Sequence, residues 1–155
     1  MKRPLIWKAV LGGFVATSVM TMLMYGGPAM GMPKMDIAAM LGSMLGGWWM
    51  GMIMHFINGT VIFPLIYAYV LFGVLPGQPW LKGVQWGLIL WFLAQTVVMP
   101  MMGMGFFSSG APAPVAAVLG SLMGHFIYGA LLGGIGGHGR DTWVQVEQHP
   151  KARAA

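Results

Sequence analysis

At 155 residues the chain suits one domain, and 57% hydrophobic against 7% charged residues is too apolar for a soluble interior of this size. It has no cysteine, which excludes disulfides, zinc–thiolate sites and thiol catalysis. The net charge of +5 does not signal nucleic acid, because the cations sit at the chain ends and in short loops rather than on a patch interleaved with aromatics.

A membrane helix takes about 20 mainly apolar residues, and four segments qualify. The first follows Met1-Lys2-Arg3, which has the look of a signal peptide. The apolar run is too long for a signal h-region, and no A-x-A cleavage site follows. A retained helix over about 6–25 is predicted. Next comes an apolar but interrupted segment, 35–46, too short to span. Asp36 is placed to cap a helix there, with Pro33 just before it, so an interfacial or re-entrant element is expected. The second spanning helix is predicted over about 48–71. Leu75-Pro76-Gly77-Gln78-Pro79 reads as a tight turn. The third helix is predicted over about 84–104, with Lys82 in the loop before it. Ser108-Ser109-Gly110-Ala111-Pro112 is a second turn, and the fourth helix follows over about 114–135. Residues 1–137 thus form one four-helix domain. Residues 138–155 form a polar tail, either a short helix or disordered.

Lysine and arginine placement gives the orientation. Lys2, Arg3, Lys8, Lys82, Arg140, Lys151 and Arg153 fall on one side, and Lys34 alone on the other. Both termini and the middle loop are therefore expected in the cytoplasm. Trp7 and Trp80 suit the inner interface, and Trp48 and Trp49 the outer one.

The chain also reads as duplicated. Residues 38–46, AAMLGSMLG, resemble 116–124, AAVLGSLMG, and His55-Phe56-Ile57-Asn58-Gly59 resembles His125-Phe126-Ile127-Tyr128-Gly129. Residues 16–22 loosely echo 94–101. Two helices per unit make this a parallel repeat about an axis along the membrane normal. The fold class is accordingly all-α: an integral membrane four-helix bundle, built as a parallel two-helix repeat with a short outer interfacial helix.

The repeat makes His55 and His125 symmetry mates, each with a glycine four residues on. Ionisable groups inside a membrane helix are candidate functional residues. At 1.5 Å per residue both lie roughly 10–15 Å in from the outer surface. The plainest reading is that each imidazole hydrogen-bonds a neighbouring helix. A facing pair can also ligate haem b iron axially, bind another metal, or relay protons. Of 17 methionines, all but Met1 fall in the expected outer half. Flexible apolar packing, or docking of a partner, explains such a bias. Thioethers with imidazoles also select copper(I). The candidate metal ligands are Met50, Met52, Met54, His55, Met99, Met101, Met123 and His125, with His55 and His125 as the cofactor-binding pair.

Gly42 and Gly46, Gly120 and Gly124, and Gly129, Gly133 and Gly137 form small-residue ridges for close helix packing. No phosphate loop is indicated, since no Lys-Ser or Lys-Thr follows the glycines. Kinks are expected at Pro64 and Pro100, with freed carbonyls near 58–60 or 95–96. Asp36 is the only carboxylate outside the tail, so a two-carboxylate acid–base site is excluded. No catalytic set is visible, and no enzyme is predicted.

Residues 31–42, GMPKMDIAAMLG, together with the two histidine motifs, resemble a family of small four-helix bacterial inner-membrane proteins of unknown function. The resemblance spans about 12–137. It implies the four-helix fold and a bacterial inner membrane, and carries no catalytic residues. The function expected first is an accessory or assembly subunit of a larger membrane complex, respiratory for instance, with the bilayer and other membrane subunits as partners. A haem- or copper-binding protein is the second reading, and a small transporter the third.

Overall fold

The computed structural model describes residues 6–31 and 34–137. The expected cytoplasmic tail, 138–155, and the basic residues Lys2, Arg3, Arg140, Lys151 and Arg153 lie outside the described residues. The fold is all-α. Four helices are long and apolar enough to cross a membrane. They are α1 (Ile6–Gly26), α3 (Trp48–Leu71), α4 (Pro79–Met101) and α5 (Pro114–Gly136), with the short α2 (Ile37–Leu45) between the first two. The ends of the bundle are called here the termini side, which also holds the α3–α4 turn, and the far side, which holds α2.

Two boundaries differ from expectation. Helix α4 begins at Pro79, because Gln78 is extended and a proline suits the first helical position, where no amide partner is needed. Lys82 is therefore in the first turn of α4, not in the loop. From there its Nζ donates to Phe72 O at 2.6 Å and sits 4.6 Å from the Phe72 ring. It thus satisfies one of the carbonyls left open where α3 ends. The α4 span also stops at Met101, where Met102 leaves helical geometry.

Both prolines inside the spans follow a π-helical turn. In α3 the turn covers Asn58–Ile62 before Pro64; in α4 it covers Ala94–Val98 before Pro100. The residue just ahead of each proline bonds five residues back, Phe63 N–H to Asn58 O and Met99 N–H to Ala94 O. At the first site this strands Gly59 O. Its α-helical donor is taken, and the next amide belongs to a proline. The Tyr128 hydroxyl of α5 fills the vacancy, donating to Gly59 O at 2.7 Å.

The spans close into a ring in the order α1, α3, α4, α5, back to α1. Glycines set the close approaches. Both helix pairs cross at the glycine four residues beyond their histidine. Gly59 abuts Thr17 of α1, and Gly129 abuts Gly83 of α4. Gly133 continues the α4 contact, and Gly12 meets the α5 backbone. Between these seams Ala16, Tyr67, Phe72, Trp86, Leu90, Tyr128 and Leu132 form the buried cluster. Phe63 and Trp86 pack edge to face at 6.2 Å where α3 meets α4. This cluster fills the bundle from its middle to the termini side.

Candidate functional site

Beyond that cluster, towards the far side, the helices surround a partly open cavity of about 570 Å³. That volume falls within the usual range for small-molecule sites, about 300–1,000 Å³. Helix α1 contributes Thr17, Met20 and Met24, a stripe at helical spacing. Helix α3 contributes His55, Asn58, Gly59 and Phe63, and α5 contributes Gly120, Ser121, Gly124, His125 and Tyr128. Helix α4 adds Leu90, Ala94, Val98 and Met99. The α3 and α4 contributions include residues of the two π-helical turns that precede the prolines, and such turns are common at functional sites.

Helix α2 covers the far side, with Met35, Ile37 and Leu41 on the cavity. Asp36 starts it as a side-chain cap, accepting from Ala39 N–H at 2.9 Å. The same carboxylate accepts from Tyr25 OH at 2.6 Å and Trp48 Nε1 at 3.1 Å. One residue thus ties α2 to the end of α1 and the start of α3. Burial pushes the Asp36 carboxyl up. The bonds from Tyr25, Ala39 and Trp48, with Lys34 nearby, outweigh this and hold it below the usual carboxylate range.

The structure brings together part of the expected set. His55, His125, Met99 and Met123 all line the cavity. Met50, Met52, Met54 and Met101 do not. At the level of Met50–Met54 the inward face of α3 is Gly51, packed against Ala38 O and Gly42 N of α2, so these methionines lie to either side. Met101 is 65% exposed. Three lining thioethers were not singled out as ligands from sequence, Met20, Met24 and Met35, and neither was Thr21 as a partner of His55. The signal for the first two was the 17, 20, 24 spacing.

Hydrogen bonds decide which imidazole nitrogens are free. Thr21 Oγ1 donates to Thr17 O at 2.7 Å, so towards His55 it can only accept. His55 Nε2, 3.0 Å from that oxygen, therefore carries the proton, and Nδ1 keeps its lone pair. His125 Nδ1 lies 2.8 Å from Ser121 O, a carbonyl, so Nδ1 carries the proton and Nε2 keeps the lone pair. These tautomers are assigned from the network for neutral rings. Two other polar groups of the spans are used elsewhere, while Thr60 Oγ1, Trp86 Nε1 and Gln95 Nε2 are buried without a hydrogen-bond partner among the described residues. Gln95 Oε1 accepts from Ser108 Oγ at 2.9 Å, and Thr96 Oγ1 donates to Phe92 O. Among the described residues no three of His, Cys, Asp or Glu cluster as a metal site.

A model of a family of unknown function, DUF6789, matches residues 4–141. The chain belongs to that family. No curated protein and no solved structure matches it. Membership therefore assigns no residue a role, and the chemistry rests on the cavity. What the cavity offers is two unprotonated nitrogens and five thioethers in a mainly apolar lining, with Thr17, Asn58, Ser121 and Tyr128 as its other polar side chains.

Proposed function

We propose that this protein is a binding protein of the bacterial inner membrane, holding one small ligand in the outer half of the bilayer. The observation that carries the reading is that both intramembrane histidines line one cavity, each with a nitrogen lone pair left unpaired by the protein. A site built to accept from, or coordinate, a guest needs that disposition. The packed cluster of Tyr67, Trp86, Tyr128 and Leu132 on the termini side favours holding a ligand over conducting one across. Lys8 and Lys82 on the termini side against Lys34 on the far side support cytoplasmic termini and an outward-facing cavity. Axial bis-histidine haem has less support, because iron above a macrocycle is reached by Nε2, and His55 Nε2 is committed to Thr21.

The test is native mass spectrometry and absorption spectroscopy of purified protein. A co-purifying molecule or ion is expected, and it should be lost in Ala116→Phe, which fills part of the cavity. Wild type and variant that are equally free of any guest would refute the reading. A docking role in a larger complex is favoured by one observation: Met22, Met44, Met50, Met101 and Met123 are more than half exposed. Flexible thioethers on a lipid-facing surface suit an adaptable helix contact. Co-purification with a larger complex in mild detergent discriminates this second reading.

A further inference from the structure

We infer that the ligand of this cavity is a soft monovalent metal ion, copper(I) in chemical class, held by His55 Nδ1, His125 Nε2 and the Met20 thioether. The inference rests on the cavity reading above and names its guest.

The donor types come first. The soft and borderline donors of the lining are imidazole nitrogens and thioether sulfurs, a combination that selects copper(I) among biological ions, with the Asn58 amide as the other polar group nearby. Their charge comes second. No Asp or Glu lies in any of the four spans, so every donor is neutral. A divalent ion would bring two uncompensated charges into the membrane, whereas copper(I) brings one. Zinc sites at comparable depth would need carboxylate, thiolate or further imidazole, and the described residues offer no such cluster.

Helix α1 supplies the geometry. Met20 lies against Gly124, the residue before His125; its Sδ is 3.9 Å from the position a Cβ on Gly124 would take. The Met20 thioether thus packs directly on the histidine's turn of α5. The next residue, Thr21, holds His55 of α3. Consecutive residues of α1 therefore meet the two histidine-bearing turns, Thr21 at the His55 imidazole of α3 and Met20 at Gly124 of α5. Each imidazole also donates its other N–H to a fixed acceptor, Thr21 Oγ1 or Ser121 O, which is the arrangement that orients metal-ligating histidines. Met24 lies one turn further out on α1 and Met35 at the α2 cover, so thioethers continue from the site towards the far side. They offer an incoming ion a succession of soft, neutral ligands.

The test uses purified full-length protein, titrated with copper(I) under ascorbate in competition with bathocuproine disulfonate. One copper(I) per chain is expected, with both nitrogen and sulfur scatterers in the X-ray absorption spectrum. Zinc(II) should not be retained. The double variant His55→Ala/His125→Ala should lose the ion. Met20→Leu conserves volume and should remove the sulfur contribution while eluting as the wild type does. Thr21→Val should weaken binding by about 10–100-fold, as loss of an outer partner of a ligand does, and Thr21→Ser should restore it. Complete transfer of copper to the competitor, or binding unchanged in the double histidine variant, overturns the inference. An organic guest displaced by Ala116→Phe, with no copper retained, would sink this inference and leave the cavity reading standing. Neither guest would sink both.

Discussion

Tyr128→Phe removes one atom and asks what it was for. The hydroxyl donates to Gly59 O, stranded because Phe63 N–H bonds Asn58 O and Pro64 has no N–H. Interhelical hydrogen bonds in membranes average only about 0.6 kcal/mol, with an upper value near 1.7, because separated helices find other partners. Gly59 O has no such partner within its own helix, so its bond should sit near the upper end, at about 1.5 kcal/mol. The ring itself stays, so no packing is lost and no cavity term is added. Tyr67→Phe is the control. Tyr67 OH donates to Pro79 O at 2.9 Å, but Pro79 opens α4 and its carbonyl also has a partner within that helix. Tyr67→Phe should therefore cost about 0.6 kcal/mol or less. The assay is equilibrium unfolding in mixed micelles, with increasing mole fraction of denaturing detergent. Equal costs for the two variants, or none for Tyr128→Phe, would refute the argument that the π-helical turn creates a debt that α5 settles.

Gly83→Ala places a Cβ 2.7 Å from Gly133 backbone atoms; it should destabilise by about 1–3 kcal/mol as overpacking does, whereas Gly134→Ala meets open space and should be neutral in the same unfolding assay. Asp36→Leu should release α2, read as faster hydrogen exchange over Ile37–Leu45 and altered Trp48 fluorescence. In the wild type the folded-state carboxyl is held low, so its contribution is complete above the unfolded value near 3.9 and fades only as pH falls through the lower folded value. Protection over α2, exchange relative to the intrinsic rate at each pH, should therefore hold steady from neutral pH down to about 4; release already at pH 6 would contradict the assignment. With no native cysteine in the way, Lys34→Cys should react with an impermeant maleimide on intact cells and Gln78→Cys should not; the reverse pattern would invert the orientation.

The spans were legible because the bilayer demands a simple thing, a long apolar run, and length alone separates 48–71 from 35–46. The start of α4 was less so. Hydropathy drops at Lys82 and Gln85, and a reading by apolarity begins the helix after the charge. Lys82 is tolerated inside because its ammonium reaches Phe72 O on the neighbouring helix. That partner is ten residues away in sequence and adjacent only once the turn has formed. The prolines had the same character. A missing amide is plain at Pro64 and Pro100, but whether the chain answers with a kink or a wider turn depends on a neighbour such as Tyr128.

The site was half legible for a related reason. An intramembrane histidine is costly enough to stand out whatever surrounds it, and both line the cavity. A methionine is not costly in lipid, so its presence says nothing about which way it faces. Met50, Met52 and Met54 drew attention by leading into His55, yet Met52 points away from the other two, and the face Met50 and Met54 share is about 100° from the one Gly51 and His55 turn inward. Met20 and Met24 are also four apart, and theirs is the face that lines the cavity. The deciding residue is Thr21, inconspicuous in sequence. Its hydroxyl proton is spent on Thr17 O, one turn back, and only that leaves an oxygen able to take the proton of His55 Nε2. Which nitrogen of a histidine is free is thus written on another helix. For this reason the experiment that separates a structural histidine from a ligand is the exchange of Thr21 for Val and for Ser, with the imidazole left untouched. A purely structural bond would register in stability alone. A ligand's outer partner would register in affinity for the guest as well.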